Sequence, residues 1–262
     1  MLLATIINDF GNAVDFIFHQ RESVSGGVGV GGSELLPLLE THLRVVIVSI
    51  AIACALSIPL GLWLGHLGKG QFAASSAANV GRAVPSIAVL VFFSAYLGLG
   101  EVNLIFAMVL LAIPPIFTNT YVGVRQVDRD AVDAARGMGM SGAQIVRRVE
   151  LPLSLPLIFG GLRTSTVNVI ATATLGPLVG VLTLGNPIIN ASVYGPDGRL
   201  GAAILVGVLA IGAEALFALL QRVVTPAGLR RPKGERRAWS RRASPIPPSP
   251  PSPTSPSAPP AP

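Results

Sequence analysis

Long apolar stretches separated by short polar ones constrain this chain more than any other feature. A helix needs about 20 apolar residues to cross the hydrocarbon core of a bilayer. Residues 43–67 reach that length with only Arg44 at the edge. A second run ends at Leu99; its apolar core, 84–99, is short, so its helix is expected to begin near Ala77 and to be disturbed at Arg82 and Pro85. A third run, 102–124, carries Pro114 and Pro115 in its middle, and each proline removes a backbone donor and kinks a helix. The fourth, 153–184, is apolar but rich in Thr, Ser and Asn, and the fifth covers 200–224. The expectation is an all-α integral membrane protein with five transmembrane helices. Hydrophobic residues make up 51% of the 262 and charged ones 12%, too little charge to coat a soluble core of that size.

The net charge of +6 sits between and after the apolar runs, which reads as a positive-inside signature and not as a nucleic-acid surface. Arg125, Arg129, Arg136, Arg147 and Arg148 crowd one polar segment. Seven more basic residues, from Arg230 to Arg242, crowd the C-terminal flank. Two spans separate these regions, so they fall on one side, the cytoplasmic one, together with Lys69 and Arg82. The opposite side has only Arg21, Arg44 and Arg199. With five spans the N-terminus is outside. Three regions follow: an extracytoplasmic or interfacial segment over 1–40, a transmembrane domain over 41–229 with a cytoplasmic loop at 125–152, and a tail over 230–262. That tail is first basic and then a Pro/Ser tract that cannot bury a core. Residues 1–18 carry Asp9 and Asp15 and lack a basic start and a cleavage site, so they do not read as a signal peptide; a peripheral helix or a weak extra span remains. Cys54 stands alone, and His19, His42 and His66 lack metal-ligand spacing.

The polar segment has more order than a linker. Ala131, Val132, Ala134 and Ala135 favour a short helix capped by Asp128 or Asp130. Gly137-Met138-Gly139-Met140 interrupts it. Ser141 and Gln144 have the spacing of a capping box and open a second short helix through Val149, which Pro152 and Pro156 are expected to end. Small residues at the bend allow another backbone to approach, and arginines suit acidic partners or phosphate. These residues alone fit either a docking element for a soluble protein or an interfacial loop.

Asp133-Ala134-Ala135, then Gly139, then Val149-Glu150-Leu151-Pro152 resembles the loop of ABC importer permeases that reads Glu-Ala-Ala, three residues, Gly, nine residues, Ile-x-Leu-Pro. The departures are Asp133 for Glu and Val149 for Ile. The stretches 84–88, 119–121, 137–140, 149–153, 161–164 and 171–175 resemble the glycine betaine/carnitine/choline branch, and the likeness covers roughly 40–229. Family members usually carry Gly-Ala-Gly-Gly-Leu-Gly after the fourth span; here residues 180–185 keep only the outer glycines. The resemblance implies the type I importer permease fold in a bacterial cell membrane. It implies a coupling helix seated in a groove of an ATPase subunit, with Asp133, Ala134, Ala135, Gly139, Val149, Leu151 and Pro152 as coupling residues, Asp133 as a polar contact or cap and Gly139 as the closest approach. It further implies a second permease subunit, an extracytoplasmic solute-binding protein, and alternating access driven by ATP and Mg on the partner. The chain has no phosphate-binding loop, so it is expected to bind no cofactor and to catalyse nothing itself.

Residues for the path itself are less distinct. Thr164, Asn168 and Thr172 recur near every fourth position and share a helical face; they either line a passage or bond between helices. Glu214, the lone acid of the fifth run, offers either a cation contact or an interface hydrogen bond. Arg163 reads as a snorkelling or paired residue more readily than as a substrate contact. A related importer of another small polar solute, such as an amino acid, is the alternative; a secondary transporter would need more intramembrane acids.

Overall fold

The computed structural model describes residues 2–224, with the side chains of 2–6 and 80–82 excepted. Its long helices follow the apolar runs, but not with the same limits. After α1 (Leu2–Phe18) and a small hairpin of β1 (Gln20–Glu22) and β2 (Gly29–Gly31), α2 runs from Leu35 to Leu67. It begins well before residue 43 because Leu35, Leu38 and His42 are also buried. α3 (Gln71–Ala83) and α4 (Ser86–Leu97) follow, then α5 (Glu101–Arg125). The connecting segment holds α6 (Arg129–Gly137), α7 (Gly142–Ile145) and a π-helical turn, Val146–Glu150. α8 (Leu151–Ala173), α9 (Gly185–Ile189) and α10 (Ala191–Val224) complete the described chain.

Four helices among the described residues are long and apolar enough to cross a membrane, those containing α2, α5, α8 and α10. The second of the five expected spans is not among them. The second run is split: Pro85, in extended conformation, caps α4 and separates it from α3, as a proline lacking its donor and restricting its predecessor does. α2 and α5 nevertheless lie parallel. Arg44 pairs with Glu101, Ser49 donates to the Ile105 carbonyl, Ser57 donates to the Ile113 carbonyl, and the backbone at Gly65 approaches Tyr121 and Val124. The chain must therefore return along this pair between Leu67 and Glu101. It does so as two half-helices: Thr118 of α5 donates to the Ala74 carbonyl of α3, and Asn103 of α5 donates to the Leu90 carbonyl of α4.

The close approach of α2 and α5 depends on absent side chains. A β-carbon at Gly61 or Gly65 would stand 2.8 Å from the Thr120 or the Val124 β-carbon. α8 runs antiparallel to α5, with Gly161 against Asn119 and Ser165 donating to the Ala112 carbonyl. Ser57 and Ser165 thus reach the carbonyls just before Pro114 and Pro115, where neighbouring side chains can support a proline-interrupted helix. The core among these helices includes Val45, Leu104, Met108, Ile116, Val169 and Ile170.

The fourth run also stops short of its apolar length. α8 ends at Ala173, and residues 174–184 turn through a short 3-10 segment, Gly176–Val179. Both outer glycines of 180–185 have a structural reason. Gly180 has φ +77°, and at Gly185 a β-carbon would overlap the Thr174 backbone. α10 begins at Ala191, earlier than residue 200, and bends at Gly195, whose φ is +68°. At this end Arg21 pairs with Asp15 and Asp197, tying the N-terminal segment to α10. Its guanidinium holds the Asp15 carboxyl below the usual carboxylate range. The tail over 230–262 lies outside the described residues.

Candidate coupling surface and membrane path

The segment between α5 and α8 has a small core of its own. Val132 and Ala135 of α6 pack with Val127 and Ile145, and Met140, Val149 and Leu153 close over them. α6 is capped by Asp128, whose carboxylate accepts from the Asp130 backbone at 3.0 Å. The capping box forms: Ser141 accepts from the Gln144 backbone and the Gln144 side chain accepts from the Ser141 backbone. Between the helices Gly139 has φ +77°, a conformation costing an L-residue about 1–2 kcal/mol.

These contacts divide the seven expected coupling residues. Asp133 and Ala134 are exposed, as is Gly139, where nothing lies within 4 Å of a β-carbon position. Ala135 is buried in the small core, with Val149 against it; Leu151 packs towards the main bundle. Asp133 pairs with Arg136 at 3.3 Å, and the cap is Asp128. Pro152 does not end a helix. It occupies the first turn of α8, and the π turn carries α7 into α8 without a break. A residue without a backbone donor is tolerated there because the π turn just before it accommodates an interrupted ladder.

Two further residues stand out that the linear pattern does not mark. Met138 is 71% exposed at the tip of the bend. Glu150 is 1% exposed, and its carboxylate lies 2.8 Å from Nδ1 of His66 on α2. The signal available beforehand was the lone acid among Arg147, Arg148 and an apolar run; its partner lies 84 residues away.

On α8, Thr164 and Asn168 line a cavity of about 210 Å³ with Pro114, Pro115, Thr118 and Asn119 of α5 and Ala78 of α3. A second cavity of about 460 Å³ shares Ala78 and Thr118 and extends to Gln71, Ser75 and Arg125 near the loop. Both α8 residues are exposed. The Thr164 hydroxyl donates to the Gly160 carbonyl and that of Thr172 to the Asn168 carbonyl, so their donors are satisfied by their own helix. Thr172 is not part of the lining. Glu214 on α10 pairs with Arg163 on α8, and neither lines these cavities.

A broken crossing, paired parallel and antiparallel long helices, and a capped helical loop at one end define a multi-pass permease of the type I ABC importer fold. The chain belongs to the family of binding-protein-dependent transport system inner membrane components, which it matches over residues 57–227. It is 37% identical over 199 residues to the glycine betaine/carnitine/choline transport system permease protein OpuCB of Bacillus subtilis (strain 168), covering 76% of this chain and 92% of that one. It is also 37% identical over 203 residues to the choline transport system permease protein OpuBB of the same organism, covering 77% and 94%. Among solved structures it resembles an inward-facing MetNI methionine ABC transporter, with TM-score 0.64 and 22% identity over 73% of this chain and 96% of that one.

Proposed function

We propose that this permease moves a compatible solute (glycine betaine, carnitine, choline or a proline-like molecule) into the cell by alternating access. A separate ATPase, holding ATP and Mg, drives it by docking on the coupling loop, with this chain transducing and not hydrolysing. The observation that carries the reading is the two-sided loop. Ala135 and Val149 fix its shape from within, while Asp133, Ala134, Met138 and Gly139 remain outward. A capped, internally packed element presents its partner with a preformed surface, which lowers the entropy lost on binding.

The charge pattern supports a cytoplasmic position for this end. Five arginines between Arg125 and Arg148 occupy it. Gln221 of α10 donates to the Pro156 carbonyl of α8, so α10 ends on the same side, and we assign the C-terminal tail over 230–262 to the cytoplasm. Residues 1–40 are assigned to the opposite face, where a solute-binding protein would deliver its cargo, and 41–229 to the transmembrane domain. Thr164 and Asn168 are polar and exposed on a helix long enough to cross a membrane. Polar side chains at that depth face protein or water rather than lipid. This supports a second permease subunit, identical or paralogous, that closes a path lined by Thr164 and Asn168, with Thr172 above them.

The test is reconstitution with the ATPase, the partner permease and the receptor in proteoliposomes. Labelled glycine betaine, carnitine, choline and proline are compared with methionine. ATP-dependent uptake of one of the first four is expected. Uptake of methionine alone would move the solute assignment to an amino acid. Uptake that needs no ATPase would refute the importer reading.

A further inference from the structure

One imidazole is bonded at one end of the helical segment that follows Ser141 and lies beside its other end. His66 stands in the last turn of α2. Its Nδ1 is 2.8 Å from the Glu150 carboxylate, at the far end of the α7–π segment. Its Nε2 lies 3.2 Å from the position of a β-carbon on Gly142, at the near end. Glu150 is 1% exposed and its side chain is enclosed. A carboxylate there is costly without a partner, and His66 is the hydrogen-bonding partner the described residues provide.

The connectivity gives this contact its meaning. The coupling loop continues covalently into α5 on one side and α8 on the other. α2 has no such connection, because α3 and α4 intervene. Yet α2 is one of the helices that reach the opposite end of the bundle, where Arg44 meets Glu101 at 3.0 Å.

We propose that His66 and Glu150 are positioning residues that make α2 follow the coupling helix, extending nucleotide-driven movement to a helix the loop does not reach through the backbone. The proposal rests on the importer reading above. Neither residue contacts solute.

The test uses the assembled transporter with Cys54→Ser and a single reporter cysteine, either Leu67→Cys at the end of α2 or Met138→Cys on the loop. Maleimide labelling is measured with and without ATP, and uptake per ATP hydrolysed is measured on complexes lacking the reporter. In the parent, ATP changes labelling at both positions. His66→Ala and Glu150→Gln should keep the response at 138, lose most of that at 67, and lower uptake per ATP severalfold. His66→Asn, which keeps a donor near the Nδ1 position, should restore the response at 67. His66→Leu with Glu150→Leu removes the link without stranding a buried charge, and so decides the matter if single variants fail to assemble. An ATP response at 67 equal to the parent's in that double variant would overturn the proposal. Labelling does not depend on solute identity: a parent that responds at both positions but imports none of the proposed solutes refutes the solute assignment alone.

Discussion

The loop proposed to dock the ATPase and the polar face of α8 are built on opposite plans. In the loop each short helix is capped, Ala135 and Ile145 share a core, and Glu150 is buried against His66. The face of α8 presents Thr164 and Asn168 to a hollow of about 210 Å³ shared with the Pro114–Pro115 region of α5. Thr164 bonds its own helix and asks nothing of its neighbours. A surface that transmits force needs a fixed shape. A passage needs polarity that does not grip, because strongly bound solute is slow to leave.

The contrast can be broken at either region. The largest effect is expected for Gly139→Trp, which places an L side chain at φ +77° on the outward surface. Membrane insertion should persist and ATP-dependent uptake should be abolished; uptake at the parental rate would show that the bend is not a docking surface. Asn168→Leu should come next. It removes a polar group from the cavity, and uptake is expected to fall severalfold with an unchanged amount of protein in the membrane, measured by initial rates and quantitative blotting. Thr172→Val, outside the lining, should change uptake less.

Arg163→Ala tests whether the α8–α10 pair belongs to the path or to the scaffold. Both groups keep partial exposure, so a loss of about 1–2 kcal/mol is expected, below the roughly 3–5 kcal/mol of a fully buried pair. Folded yield should drop while uptake per molecule stays constant, and Arg163→Met with Glu214→Leu should recover the yield. A change in solute preference would instead place the pair on the path. Ser141→Ala should cost about 1 kcal/mol, seen as faster proteolysis of the loop with uptake retained.

The end of the bundle away from the loop provides a control for both regions. Asp15, held low by Arg21, contributes stability above the ordinary carboxylate range and loses it as pH falls through its own lower value. Acid below that range should loosen the N-terminal segment, followed by hydrogen exchange, before it affects the loop.

The two regions also differed in how far they could be read from residues alone. The Asp128 cap, the Ser141–Gln144 box and the small-residue bend are local, and local spacing dictates them. The shared face of Thr164 and Asn168 follows from helical period, yet the cavity needs α3 and α5, which the period does not place. An apolar run also says little about where a helix stops. Residues 153–184 are continuously apolar enough, but the chain turns after Ala173, Gly180 takes φ +77° and Gly185 packs against the Thr174 backbone. Pro85 marked the split of the second crossing, whereas Pro152, of the same residue type, sits inside a continuous helix because the π turn before it absorbs the irregularity. The His66–Glu150 contact was beyond reach, since no local pattern relates residues 84 positions apart.

The most direct test of the coupling claim is a cross-link from the bend. Met138→Cys, with Cys54→Ser, places a thiol at a position 71% exposed beside Gly139. A short bifunctional reagent applied to the complex should join this residue to the ATPase subunit, and the yield should change when ATP is added. Full ATP-dependent uptake by the same variant, with no cross-link to the ATPase in any nucleotide state, would contradict the account.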